Sequence, residues 1–186
     1  MAILLKFCRL VDTVNDQIGK VVYWAILLSV VVSAVNAIVR YSLNIGSNSW
    51  LELQWYLFSA VFLLCAGYTL LRNEHIRVDI IFGKLPERTQ VWIDIIGGLV
   101  CLLPMAIIIM VLSWPVFVES YELNEWSQNA GGLLRWPVKL LIPVAFLLLI
   151  LQGISELIKR IAFLMGKAPN PARKRHSHAA EEAHAE

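Results

Sequence analysis

An all-α integral membrane protein with four transmembrane helices and both termini in the cytoplasm is what this sequence predicts, on three observations. Hydrophobic residues make up 58% of the 186 and charged residues 16%, against roughly 45–50% and about 25% in a soluble domain. Four runs carry no charge: Val21–Val39, Leu53–Leu71, Ile95–Val118 and Leu140–Ser155. At 1.5 Å per residue about 20 residues cross a hydrocarbon core of about 30 Å, so each run is a candidate span. Finally, the lysines and arginines sort by connection, as the positive-inside rule requires of cytoplasmic segments.

The spans are expected at about 20–39, 51–71, 94–118 and 137–155. The first ends at Arg40-Tyr41 without a small-residue cleavage pattern, so it reads as a span rather than a removed signal peptide. Within it Ala25, Ser29, Ser33 and Ala37 recur every four residues. Lipid supplies no hydrophobic drive between helices, and such a ridge of small residues predicts close helix packing. Arg40 and Glu52 lie at the two ends of an 11-residue connection, which predicts an ion pair at the outer interface and places both among the candidate assembly contacts.

Between the second and third spans stands RNEHIRVD, Arg72 to Asp79. Its polar residues His75, Arg77 and Asp79 alternate with Ile76, Val78 and Ile80, the pattern of an extended segment with one face towards headgroups or a partner. A metal centre needs three or four converging ligands, and His75 is the one histidine outside the tail. The reading is a cytoplasmic turn whose His75, Arg77 and Asp79 make partner or assembly contacts, with no catalytic, cofactor or metal residue. A short amphipathic helix over Leu85–Ile96 follows, pairing Val91 with Ile95 and Trp92 with Ile96 at four-residue spacing; it is expected to lie partly in the interface and lead into span three.

Pro104 in span three and Pro143 early in span four should free backbone carbonyls and kink their helices. The outer connection Glu119–Trp136 reads as an acidic loop with a turn at Gly131-Gly132, long enough to project from the membrane. Residues 1–165 form the transmembrane domain; residues 166–186, rich in Pro, Ala and charge, read as a disordered cytoplasmic tail. Of the sixteen lysines and arginines, all but Arg40, Arg135 and Lys139 fall in the three segments assigned to the cytoplasm. Cys8, Cys65 and Cys101 suggest no disulfide framework, since two of them sit inside apolar runs.

The order of these residues carries a resemblance. RYSLN, then WLELQWYLFSAVFLLCAGYTLLRNEHIRVDI, then SWPVFVESYELNEWSQNAGGLLRWPVKLLIPVAFLLLILQGISELIKR resemble the small membrane subunit, the Q or DctQ-like subunit, of tripartite ATP-independent periplasmic (TRAP) transporters. The resemblance runs from about Val11 to Met165, and His75–Asp79 is its most specific piece. Where many members carry paired glutamates after the tryptophan that opens helix two, Trp50 is followed here by Leu51, Glu52 and Leu53.

This resemblance implies a bacterial or archaeal cytoplasmic-membrane complex with a large multi-span permease (M) subunit and a soluble periplasmic substrate-binding protein, taking up organic acids, most often carboxylates. Sodium and substrate would bind the large subunit, which this chain would scaffold, with membrane lipids as its surroundings and no nucleic acid. The alternative is a four-helix anchor or assembly subunit of another complex, such as a quinone-linked redox enzyme. Such an anchor would need histidines inside the spans for haem, and the four runs contain none. A self-sufficient small exporter would need ionisable groups or broken helices at the midplane.

Overall fold

A computed structural model describes residues 2–43, 46–72 and 85–166. His75, Arg77 and Asp79, and the tail expected from residue 166 onward apart from Gly166 itself, lie outside the described residues. The described residues are helical apart from the connections between helices. It runs α1 (Ala2–Leu43), α2 (Asn48–Arg72), α3 (Glu87–Gly97), a π-helical turn (Gly98–Leu102), α4 (Leu103–Glu122) and α5 (Trp136–Leu164). Among the described residues four stretches are long and apolar enough to cross a membrane: α1, α2, the continuous Glu87–Glu122 stretch and α5. This is a multi-pass membrane protein.

Helix α1 is much longer than the apolar run that predicts it. Its 42 residues make a rod of about 63 Å. The extension forms because a 3.5-residue period continues past the apolar run. Cys8, Val11, Asn15, Val22 and Val32 are buried along one seam, as expected where helices pack side by side with a small crossing angle. Outside that seam the surface is apolar, with Val21, Leu27, Leu28 and Ile38 more than half exposed. In water such a face would be untenable; in a bilayer it is solvated.

Packing centres on α5, which touches α1, α2 and α4, while α1 and α2 pack on each other. Helix α4 leans on α5 and makes no comparable contact with α1 or α2, so the bundle is open along one side. Pro137 occupies the first turn of α5, where its missing N–H costs no hydrogen bond. Ala145, Gln152, Gly153, Ser155 and Ala162 are buried further along.

The stretch preceding span three is helical and joins it without a break. Val91 and Ile95 are buried while Trp92 and Ile96 are more than half exposed. The distortion around Pro104 takes a defined form. Leu103 donates its N–H to Gly98 O, five residues back, so the helix widens to a π turn just before the proline. The widening accommodates a ring that would otherwise press on the carbonyl four residues earlier.

Candidate functional site

Two clusters of polar side chains tie the helices together, one at each end of the bundle. At the loop end Glu52, in the first turns of α2, is only 6% exposed. Its carboxylate accepts hydrogen bonds from Ser127 Oγ, from Asn129 Nδ2 at 2.9 Å and from the Leu133 backbone N–H at 2.6 Å. The α4–α5 connection is therefore folded over the end of α2. Trp126 and Leu134 form an antiparallel bridge, with Ser127 N–H donating to Leu133 O at 3.0 Å. A turn closes with Gly132 N–H donating to Asn129 O at 3.0 Å. Gly131 takes φ +73° in that turn, a region favouring glycine. At Gly132 a Cβ would fall 2.4 Å from Ser127 Cβ and 2.9 Å from Glu52 Oε1.

Helix α2 reaches the loop at three more points. Asn48 Nδ2 donates to Ala130 O at 3.0 Å, Ser49 Oγ to Gly131 O, and Tyr56 OH to Leu134 O at 2.9 Å. Glu125 organises the other side of the loop by accepting from Ser120 Oγ at 2.7 Å and from Lys139 Nζ, with Arg135 Nη1 at 3.8 Å. The Lys139 hydrogen bond, then that from Ser120, holds the Glu125 carboxyl below the usual range for glutamate.

The expected Arg40–Glu52 ion pair is not formed. Glu52 spends its acceptors on the loop, and Arg40 is exposed. Sequence adjacency placed the two helix ends together, but three donors on one folded loop outcompete a single cation on a long side chain.

At the opposite end lies a cluster that the charge-free runs did not reveal. Lys159 Nζ lies 3.0 Å from both Asp12 oxygens and 2.7 Å from Glu156 Oε1. Gln152, fully buried, donates through Nε2 to Asp12 Oδ1 at 3.0 Å and Glu156 Oε1 at 3.2 Å, and accepts from Asn15 Nδ2 at 2.9 Å. Ser155 Oγ donates to Asp12 Oδ1 at 3.2 Å. The two carboxylates fix the Gln152 amide orientation, which in turn fixes that of Asn15. Asn15 Oδ1 then has no hydrogen-bond partner among the described residues and lies against Gly67, where a Cβ would be 2.3 Å away. Beside this cluster Asp16 binds Lys20 at 2.7 Å and Arg72 at 3.0 Å, and Arg160 binds Asp94 at 2.8 Å. Arg72, the first residue of RNEHIRVD, thus ties α2 to α1.

These eight groups carry four positive and four negative formal charges and come from α1, α2, α3 and α5. Balanced and mutually hydrogen-bonded, they cost far less in a low-dielectric setting than isolated charges would. The arrangement is a brace. Among the described residues no group of three His, Cys, Asp or Glu side chains could hold a metal ion.

Residues 21–163 match a family described as tripartite ATP-independent periplasmic transporters, DctQ component. The chain belongs to this DctQ family. No curated protein and no solved structure matches it. The match to the DctQ component takes in both carboxylates that clamp the α4–α5 connection, Glu52 and Glu125, and the α5 half of the second cluster, while Asp12, Asn15 and Asp16 precede it. In this DctQ-family chain, Ala25, Ser29 and Ser33 are half-buried and Ala37 is exposed. Ser29 borders a cleft shared with Gln54, Phe58 and Ser59 of α2, and Ser33 Oγ donates to Ser29 O at 2.9 Å.

Proposed function

We propose that this chain is the small permease subunit of a TRAP transporter and braces a large permease subunit during sodium-coupled, binding-protein-dependent uptake of an organic acid, a carboxylate by preference. The observation that carries this reading, beside the family, is the use of its charges. The charged side chains of the described residues gather in two clusters towards the opposite ends of the bundle, paired within each cluster, and the stretches between them carry no charge. A transport site requires polar groups converging near the bilayer midplane, commonly at broken helices. Helices locked end to end by ion pairs suit a part that holds still while another moves.

In this reading the chain sits in the cytoplasmic membrane with both termini inside, as the thirteen basic residues of residues 1–20, 72–94 and 156–186 support. The Glu52-clamped loop then faces the periplasm, on the side of the substrate-binding protein, and α3 lies where the inner interface begins. His75, Arg77 and Asp79 serve as contacts to the large subunit, which carries the sodium and substrate sites.

Co-purification tests the assembly part. Arg77→Ala or Asp79→Ala should lower recovery of the intact membrane complex severalfold, while His75→Ala should leave metal content unchanged. Wild-type recovery and stability of the complex in both charge variants would contradict the assignment.

A further inference from the structure

Because α4 leans only on α5, a groove runs between α2 and α4. One part, about 560 Å³, is bordered by Leu70 of α2, Met105 and Ile109 of α4, and Phe146 and Leu149 of α5. A second part, about 440 Å³, shares Phe146 and Leu149 and reaches Phe62 and Cys65 of α2. The lining is aliphatic and aromatic along its length and changes abruptly at one end, where Asp94, Glu156 and Arg160 border it. There Arg160 Nη1 lies 2.8 Å from Asp94 Oδ2, with the two side chains 11% and 15% exposed. Lys159 stands behind Glu156 at 2.7 Å. The groove is thus an apolar trough that ends in two acids and one base.

That profile matches a lipid better than a helix. Close helix contact in a membrane favours small residues facing outward, but Gly98 and Gly153, which border the groove, are already taken up by contacts between α5 and the stretch ahead of Pro104. A Cβ at Gly98 would lie 3.3 Å from Leu157 Cδ2, and one at Gly153 would lie 3.0 Å from Leu102 Cδ2. Gly97 differs, since a Cβ there meets nothing within 4 Å. The mixed charge at the groove's end offers a cation to a phosphate and carboxylates to an ammonium. A headgroup carrying only negative charge would meet Asp94 and Glu156 with nothing to give them.

We propose that this groove holds one zwitterionic glycerophospholipid, with an acyl chain along Met105, Ile109, Phe146 and Leu149 and a headgroup bearing phosphate and ammonium at the Asp94–Arg160 pair. The lipid fills the space between α2 and α4 and fixes their separation. This inference concerns the chain itself and stands whether or not the transport reading holds.

The test is native mass spectrometry of the full chain, delipidated in detergent and titrated separately with dioleoyl phosphatidylethanolamine and dioleoyl phosphatidylglycerol. The wild type should retain one phosphatidylethanolamine about fivefold more tightly than phosphatidylglycerol, the weight of one partly exposed charge contact. Gly97→Phe and Met105→Trp, which fill the trough from two sides, should each weaken retention at least about tenfold, with helicity checked by circular dichroism, whereas Gly97→Ala should retain the lipid. Asp94→Asn with Arg160→Gln should keep binding and lose the preference. Equal retention of the two lipids by the wild type would overturn the proposal, as would unchanged retention in whichever groove-filling variant folds. A photoreactive side chain at position 105 gives the last arm in the intact membrane complex: cross-linking to lipid supports the proposal, and cross-linking to a polypeptide overturns it.

Discussion

Glu52 receives three protein donors at once, and that decides what substitutions there do. Glu52→Gln replaces one acceptor oxygen by an NH2 group that faces donors, so at least one loop contact is lost and a buried donor is left unmatched. The Leu133 amide should then exchange with solvent about tenfold faster or more, by local opening of the loop. Hydrogen-exchange mass spectrometry of the peptide containing Leu133 checks this, and unchanged protection would refute the clamp. Arg40 takes no part, so in a double-mutant cycle the effects of Arg40→Glu and Glu52→Arg should add within about 0.5 kcal/mol. Partial rescue in the double variant would restore the pairing that the sequence suggested.

Glu125 makes the same loop sensitive to acid. Its folded value lies below its unfolded one, so the stabilisation is complete above the ordinary glutamate range near about pH 4.3 and is lost as the pH falls through the lowered value. Lys139→Met removes the largest cause of the shift. The acid-induced change in Trp126 fluorescence should therefore begin at a higher pH in that variant than in the wild type. What made Glu52 legible in the sequence was its position as a lone acid at the edge of an apolar run. Its partners were not legible, because Ser127, Asn129 and a backbone amide of Leu133 carry no pattern and converge only once the Gly131-Gly132 turn is made.

On the scale of helices, the apolar runs located four spans but not their ends. Helix α1 continues past the apolar run because Asp12 and Asn15, three residues apart on one face, meet Gln152, Ser155 and Lys159, spaced three and four apart on α5, while Asp16 meets Arg72 of α2. That match of polar periods was present in the sequence, hidden because charged residues mark span boundaries in any scan for apolar runs. It yields a prediction about α1 and α2 as packed elements. Gly19 and Gly67 stand where a Cβ would lie 2.4 Å from the Tyr68 ring and 2.3 Å from Asn15 Oδ1. Gly19→Ala and Gly67→Ala should each destabilise the bundle by about 1–3 kcal/mol through overpacking. Gly97→Ala, with open space beside it, should change stability little. Thermal unfolding in detergent measures all three, and a stable Gly67→Ala variant would mean that α1 and α2 do not approach as closely as described.

The cluster at the far end acts on α1 and α5 together. Asp12→Asn would leave Lys159, 15% exposed at its side chain, with Glu156 alone, and should cost about 2 kcal/mol, less than a fully buried pair because Asp12 itself is partly exposed. The same unfolding measurement should show Asp12→Asn and Glu52→Gln acting independently, since they lie at opposite ends of the helices.

Taken whole, the molecule is four membrane-crossing helical stretches held at both ends and left open between α2 and α4. Four apolar runs were enough to predict the four long helical stretches, and the fold of the α4–α5 connection was the part least foreseen, because loop closure depends on hydrogen bonds that hydropathy does not register. In the proposed reading such a chain supplies position rather than passage, which leads to the central claim that it transports nothing alone. The decisive measurement is uptake of radiolabelled organic acids into proteoliposomes under an inward sodium gradient with the binding protein added outside. The small subunit alone should give no uptake above protein-free vesicles, and uptake should appear only when the large permease is reconstituted with it; sodium-dependent uptake by the small subunit alone would contradict the account.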